Sequence, residues 1–150
     1  MEDTGLATAL VRLAHLVSRV YAEVSKEFEL TPQQIQLLCM LLGGSTGMTE
    51  MSRALGLEKS SMTGLVDRAE RRGMVVRVRD QRDRRACGIE LTDQGRKVAH
   101  DAHRKVTAQV EALIGEIDPD DRERLETVVM GIVHAPRPAT RAATRAHSPA

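Results

Sequence analysis

Residues 57–92 read LEKSSMTGLVDRAERRGMVVRVRDQRDRRACGIELT, and a change of period inside this stretch decides the fold. From Lys59 to about Arg72 the apolar residues Met62, Leu65, Val66 and Ala69 recur at three- and four-residue steps, which puts them on one helical face. Ser60, Ser61, Thr63, Gly64, Asp67, Arg68 and Arg71 then point the other way. Gly73 stops the helix, and Met74 to Arg79 alternates with β-branched residues, as a half-buried strand does. Ala86 to Leu91 is a second strand able to pair with the first across the turn Asp80 to Arg85, giving a β-hairpin.

Working outward, Met48–Thr49 opens a short helix in which Thr49 is the expected cap and Met51, Ala54 and Leu55 are expected to face inward. Gly56 suits a left-handed residue at its end, and Leu57 occupies the turn into the next helix. Two helices so joined form a helix-turn-helix. Upstream, Leu6, Leu10, Leu13, Val17, Val20, Val24 and Phe28 make one stripe of a long helix reaching Glu29. Thr31-Pro32-Gln33-Gln34 is a capping box with proline at the first position, and it opens a second helix from Pro32 to about Leu42 that is apolar around most of its circumference. Downstream, Thr92 caps a helix with the stripe Val98, Ala102, Val106, Val110, Leu113 and Ile117. Asp118 caps a last one carrying Leu125, Val128, Val129, Ile132 and Val133. Pro, Ala, Thr and Arg dominate from Ala135 onward, so residues 135–150 are expected to form a disordered tail. The expected fold is mainly α with a small β-hairpin: a winged helix-turn-helix over residues 31–92, flanked by dimerisation helices at 1–30 and 93–134, one structural domain overall.

Composition narrows the function. A hydrophobic fraction of 41% with 29% charged residues is that of a soluble globular chain, and no apolar run approaches the roughly 18 residues of a membrane span. Met1-Glu-Asp is not the start of a secretory signal, and two cysteines are too few for a disulfide framework, so a reducing cytoplasm is expected. Net charge is only +1, but Arg77, Arg79, Arg82, Arg84 and Arg85 concentrate basicity in the hairpin. One tyrosine, one phenylalanine and no tryptophan exclude an aromatic platform for stacking single-stranded bases. A Gly-rich phosphate loop, HExxH and GxSxG are all absent, and no cofactor is expected, so an enzyme is not indicated.

The outward face of the Lys59 helix has the chemistry a major groove admits. Ser60, Ser61, Thr63 and Gly64 are small enough to approach base edges, and Lys59 and Arg68 can meet phosphates. Arginines on a narrow turn can enter the minor groove, where a narrow groove deepens the negative potential. A polar helix face alone also describes a solvated helix, and an arginine-rich hairpin alone describes a protected sheet edge. The ordered series of helix, turn, helix, strand, basic turn and strand separates these readings. The outer helices carry longer apolar stripes than the module between them covers, which predicts a second copy of the chain and a two-fold symmetric DNA site.

Asp80-Gln-Arg82-Asp83-Arg84-Arg85 followed by Ile89-Glu-Leu91-Thr92-Asp-Gln-Gly95 resembles the wing signature of the MarR family of bacterial transcriptional regulators. Ser60-x-x-Thr63-x-x-Val66-Asp67-Arg68-x-Glu70-x-x-Gly73 resembles that family's recognition helix. The likeness spans roughly Leu6 to Val133 and is most specific in the wing. It implies a homodimer reading palindromic double-stranded DNA, with Ser60, Ser61, Thr63 and Arg68 at the major groove. It also implies Arg85 in the minor groove, oriented by Asp83, with Arg82 and Arg84 near phosphates. Two sites depart from the pattern. Glu58 replaces a short capping residue, and Cys87-Gly88 replaces a bulkier pair, with Gly88 expected to weaken the strand or mark a bulge.

The resemblance further implies a repressor of a nearby promoter, released by a small aromatic or phenolic effector or by a redox signal. His15, Tyr21 and Met40 are candidate pocket residues, with ordinary packing as the simpler reading. Cys39 is a candidate redox thiol, although its apolar helix suggests an inert buried group. His100 and His103 stand three apart on a helix, within reach of one metal ion, against the simpler reading of a solvated face. The competing functional class is a winged-helix module that binds protein and has no DNA target.

Overall fold

The computed structural model describes residues 5–79 and 87–136. The turn Asp80 to Arg85, and all but the first two residues of the tail expected at 135–150, lie outside the described residues. The fold is the mainly helical winged helix-turn-helix expected. Its elements in order are α1 (Leu6–Glu27), α2 (Pro32–Met40) with a 3₁₀ turn at Leu41–Gly43, β1 (Thr46–Gly47), α3 (Met48–Leu55), α4 (Lys59–Arg71), β2 (Val75–Arg79), β3 (Cys87–Leu91), α5 (Asp93–Leu113) and α6 (Pro119–His134). The chain divides into two compact units, Met1–Ile114 and Gly115–Ala150.

The core of the first unit is centred on α2. Ile35, Leu37, Leu38 and Leu41 are buried, joined by Val20 and Val24 of α1, Met51 of α3, Met62, Leu65, Val66 and Ala69 of α4, Val75 and Ile89 of the sheet, and Ala99, Ala102 and Val106 of α5. The capping box that opens α2 is complete: the Thr31 hydroxyl accepts from the Gln34 amide at 3.2 Å, and the Gln34 side chain accepts from the Thr31 amide at 2.9 Å. Two helix-start groups that would otherwise lack partners are thus satisfied, worth ~1 kcal/mol on the usual scale of caps. α1 ends at Glu27, two residues short of the expected Glu29, which itself takes a left-handed conformation at φ 53°.

Several local expectations are corrected. The cap of α3 is Gly47 rather than Thr49, which lies inside the first turn, and Ala54 is exposed rather than inward-facing. Leu113 is half exposed at the end of α5, and Ile117 lies beyond that helix, while Ala99, about one turn before Ala102, completes the buried row. The sheet has three strands in the order β1-β3-β2, all antiparallel, and β1 has too few residues to leave a periodic signal. Gly88 marks no bulge. The β2–β3 register runs unbroken from Val75↔Leu91 to Arg79↔Cys87, and Gly88 sits where a Cβ would lie 2.7 Å from the Ser45 hydroxyl. A side chain there would crowd Ser45, which precedes β1, and Val78 of β2.

The junction between the hairpin and α5 is tied to the end of α4. The Thr92 hydroxyl donates to the Gly73 carbonyl at 2.5 Å and accepts from the Gly95 amide at 3.0 Å, while the Thr92 amide donates to the Met74 carbonyl at 3.0 Å. A Cβ at Gly95 would fall 1.8 Å from that same carbonyl, so only glycine fits. In the second unit, Asp118 caps α6 as expected, accepting from the Asp120 amide at 3.0 Å.

Candidate nucleic-acid interface

α4 divides as its sequence period requires. Met62, Leu65, Val66 and Ala69 are buried, and Lys59, Ser60, Ser61, Thr63 and Arg68 are exposed, with Gly64 half-buried between them. The left-handed Gly56 turns the chain between α3 and α4 at φ 65°. Five of the expected contact residues therefore share one solvent-facing surface. A hollow of about 700 Å³ runs along it, lined by Glu58, Lys59, Ser60, Thr63, Gly64 and Asp67. A second hollow of about 490 Å³ lies between α3, α4 and the sheet, lined by Met48, Thr49, Ser52, Lys59, Thr63, Arg77 and Cys87.

Glu58, the N-cap of α4, makes no side-chain capping bond, in line with its departure from the family pattern. It therefore does not compete for the first-turn amides, at the positive end of the helix dipole. Thr63 is less free than its position suggests, because its hydroxyl donates to the Lys59 carbonyl at 2.9 Å. Its oxygen remains able to accept. Gly64 keeps this face shallow: a Cβ there would lie 3.3 Å from an Arg68 guanidinium nitrogen. Arg82, Asp83, Arg84 and Arg85 lie outside the described residues; the strands that lead to them, β2 and β3, are in place.

Sequence reasoning missed the link between α4 and the hairpin. Arg77 of β2 places Nη2 2.5 Å from Asp67 Oδ1 and Nη1 3.0 Å from Glu70 Oε1. The hydrogen bond with Asp67 pushes the guanidinium pKa up, burial opposes it in part, and Glu70 adds to the rise. All three side chains are between 31% and 47% exposed, so each pair contributes only ~0–1 kcal/mol to stability. The signal was available: Asp67 and Glu70 are one turn apart, and Arg77 shares strand parity with the buried Val75.

Of the candidate pocket residues, Tyr21 and Met40 line one cleft of about 520 Å³ with Gln36, Cys39, Ala54, Leu55 and His103. His15 is exposed on α1 and is not among the residues lining it. Burial, and then the adjacent Cys39, push the Tyr21 phenol pKa up, which keeps it a hydrogen-bond donor. Burial pushes the Cys39 thiol up to about 11, so at neutral pH it is protonated and a poor nucleophile. His100 and His103 are both exposed on α5, and among the described residues no group of three or more His, Cys, Asp or Glu is placed to hold a metal. No described helix is long and apolar enough to cross a membrane.

Comparison with known proteins agrees with the winged helix-turn-helix fold. A family model described as "MarR family" matches residues 28–86, from the end of α1 to the β2–β3 connection. The HTH-type transcriptional regulator TtmR of Methylorubrum extorquens (strain PA1) is 36% identical over 95 residues, 63% of this chain and 49% of that protein. The chain therefore spans about half the length of this curated relative. Among solved structures, CouR from Rhodococcus jostii RHA1 bound to p-coumaroyl-CoA superposes with a TM-score of 0.79 at 23% identity, covering 91% of this chain and 96% of that one. The transcriptional repressor CouR bound to a 23-mer DNA duplex gives a TM-score of 0.70 at 28% identity, covering 86% and 92%.

Proposed function

We propose that the chain is a transcriptional regulator of the MarR family, a homodimer that reads palindromic double-stranded DNA and represses a nearby promoter. The observation that carries this reading is the division of α4: a fully covered apolar face opposite an exposed face of Lys59, Ser60, Ser61, Thr63 and Arg68, at the head of the hairpin. Small hydroxyl side chains serve base edges, the cations serve phosphates, and the uncapped helix start adds backbone amides. Arg85, oriented by Asp83 and flanked by Arg82 and Arg84, is assigned by family resemblance to the minor groove. The solved complex of CouR with DNA supports the same use of the fold. Exposed apolar side chains on α1 (Leu6, Leu10, Val11 and Leu13) and on α6 supply the dimer surfaces of residues 1–30 and 93–134. Two copies would set their α4 helices about one DNA turn apart, roughly 34–36 Å.

A gel-shift titration with the DNA flanking the chain's own coding sequence, at two salt concentrations, tests this. Binding at low salt that falls steeply as salt rises is expected, since phosphate contacts release counterions. Absence of binding at low salt, or binding indifferent to salt, would favour a protein-binding winged module instead. For the effector, the cleft beside Tyr21 and Met40 is the proposed site, and a small aromatic or phenolic molecule the proposed ligand. Its size, its protonated phenol and the p-coumaroyl-CoA held by CouR support that choice. A thermal-shift screen with phenolic acids, followed by release of bound DNA, checks it.

A further inference from the structure

One guanidinium joins the DNA-facing helix to the base of the hairpin. The two terminal nitrogens of Arg77 take two different carboxylates, Asp67 at 2.5 Å and Glu70 at 3.0 Å, both on α4. A planar fork held at two points fixes orientation in a way that a single flexible ammonium contact does not. Strand parity aims it: Val75 is buried against the core, and Arg77 follows on the same side of β2. The clamp also sits among the contact residues. Asp67 lines the hollow that holds Lys59, Ser60, Thr63 and Gly64, and Arg77 lines the adjoining one that shares Lys59 and Thr63.

We infer that Arg77 is a positioning residue for DNA recognition, fixing α4 against β2 so that the helix and the hairpin engage one duplex in register. This rests on the DNA-binding reading above. Arg77 is not assigned a base to read; its carboxylate partners hold it on the protein. Its pairs are too exposed to matter greatly for folding, whereas base readout tolerates little displacement of the side chains that perform it. Charge alone gives the opposite expectation for one variant. Removing Asp67 and Glu70 takes two negative charges from a surface that meets phosphates, so a purely electrostatic role predicts tighter binding to every duplex.

The test uses the full-length protein and a duplex enriched by the wild type from a random-sequence pool, with a scrambled duplex as the non-specific probe. For the Asp67→Asn/Glu70→Gln variant, affinity for the enriched duplex is expected to fall about tenfold, the size of one lost base contact, while affinity for the scrambled duplex stays equal or rises. Arg77→Lys, which keeps the charge and loses the fork, is expected to lose the same discrimination with scrambled binding unchanged. Circular dichroism and melting temperature, close to wild type in both variants, exclude misfolding as the cause. Variants that bind both duplexes with the wild-type ratio overturn the inference while leaving the DNA reading intact. A wild-type protein that enriches no duplex overturns both.

Discussion

α4 and α6 carry the same kind of apolar stripe, and only one of them is covered. Met62, Leu65, Val66 and Ala69 of α4 are at most 3% exposed, whereas Leu125, Val128, Val129, Ile132 and Val133 of α6 range from 36% to 68%. Periodicity therefore tells which face of a helix is apolar and leaves open where its cover comes from. For α4 the cover is the chain's own core, which frees the opposite face for an outside partner of polar chemistry. For α6 the apolar face is itself exposed, and a second copy is its proposed cover. α1 contains both cases in one helix: Val20 and Val24 are buried, while Leu6, Leu10, Val11 and Leu13 are 40% exposed or more.

The contrast is most directly broken by truncating the two stripes in parallel. Leu65→Ala in α4 is expected to cost about 2–5 kcal/mol, by lost transfer energy and the cavity left behind. Val129→Ala in α6, measured by urea unfolding at concentrations low enough to prevent association, should change stability by less than about 0.5 kcal/mol. Equal losses from both would show that α6 is packed within a single chain and would remove the argument for a partner. Next in size is Gly95→Ala, which leaves both stripes intact but drives a Cβ into the Met74 carbonyl. Because backbone rather than a flexible side chain must move, a loss of about 3 kcal/mol is expected, at the upper end of ordinary overpacking.

These residues also mark how far sequence carried. The stripe of α4, the capping box of Thr31 and Gln34, and the left-handed Gly56 are local features, fixed by spacing within a few residues, and all were legible. The roles of Gly95 and Gly88 depend on atoms distant in sequence, the Met74 carbonyl and the Ser45 hydroxyl, so no local period reports them. β1 failed for another reason: a strand of two residues, Thr46–Gly47, shows no alternation. On the candidate interface, composition and period placed Lys59, Ser60, Ser61, Thr63 and Arg68 on one exposed face. They missed that Thr63 spends its proton on its own helix and that Arg77 is committed to Asp67 and Glu70.

A charge in the uncovered stripe sharpens the contrast from the other side. Ile132→Asp alters a side chain that is 58% exposed, so a single chain should keep its helix content and melting temperature. Self-association, followed by sedimentation over a range of concentrations, should weaken at least about tenfold, or ~1.4 kcal/mol, because an unpaired carboxylate would be buried in the interface. Unchanged association would place the dimer surface away from α6.

The smallest effect is expected at the cap of α6. Asp118 accepts the Asp120 amide, and the first turn adds Asp120 and Asp121 at the positive end of the helix dipole. Since α6 buries none of its side chains, this cap and local propensity carry more of its stability than in a helix anchored by a core. Removing the cap with Asp118→Ala, a change of ~1 kcal/mol, should therefore fray the first turn of α6 without lowering the melting temperature of the core. Amide exchange over residues 120–123 should quicken in dilute protein and slow again as concentration rises, because association would supply the packing that the single chain withholds. Exchange equally fast at both concentrations would mean that assembly does not cover this helix.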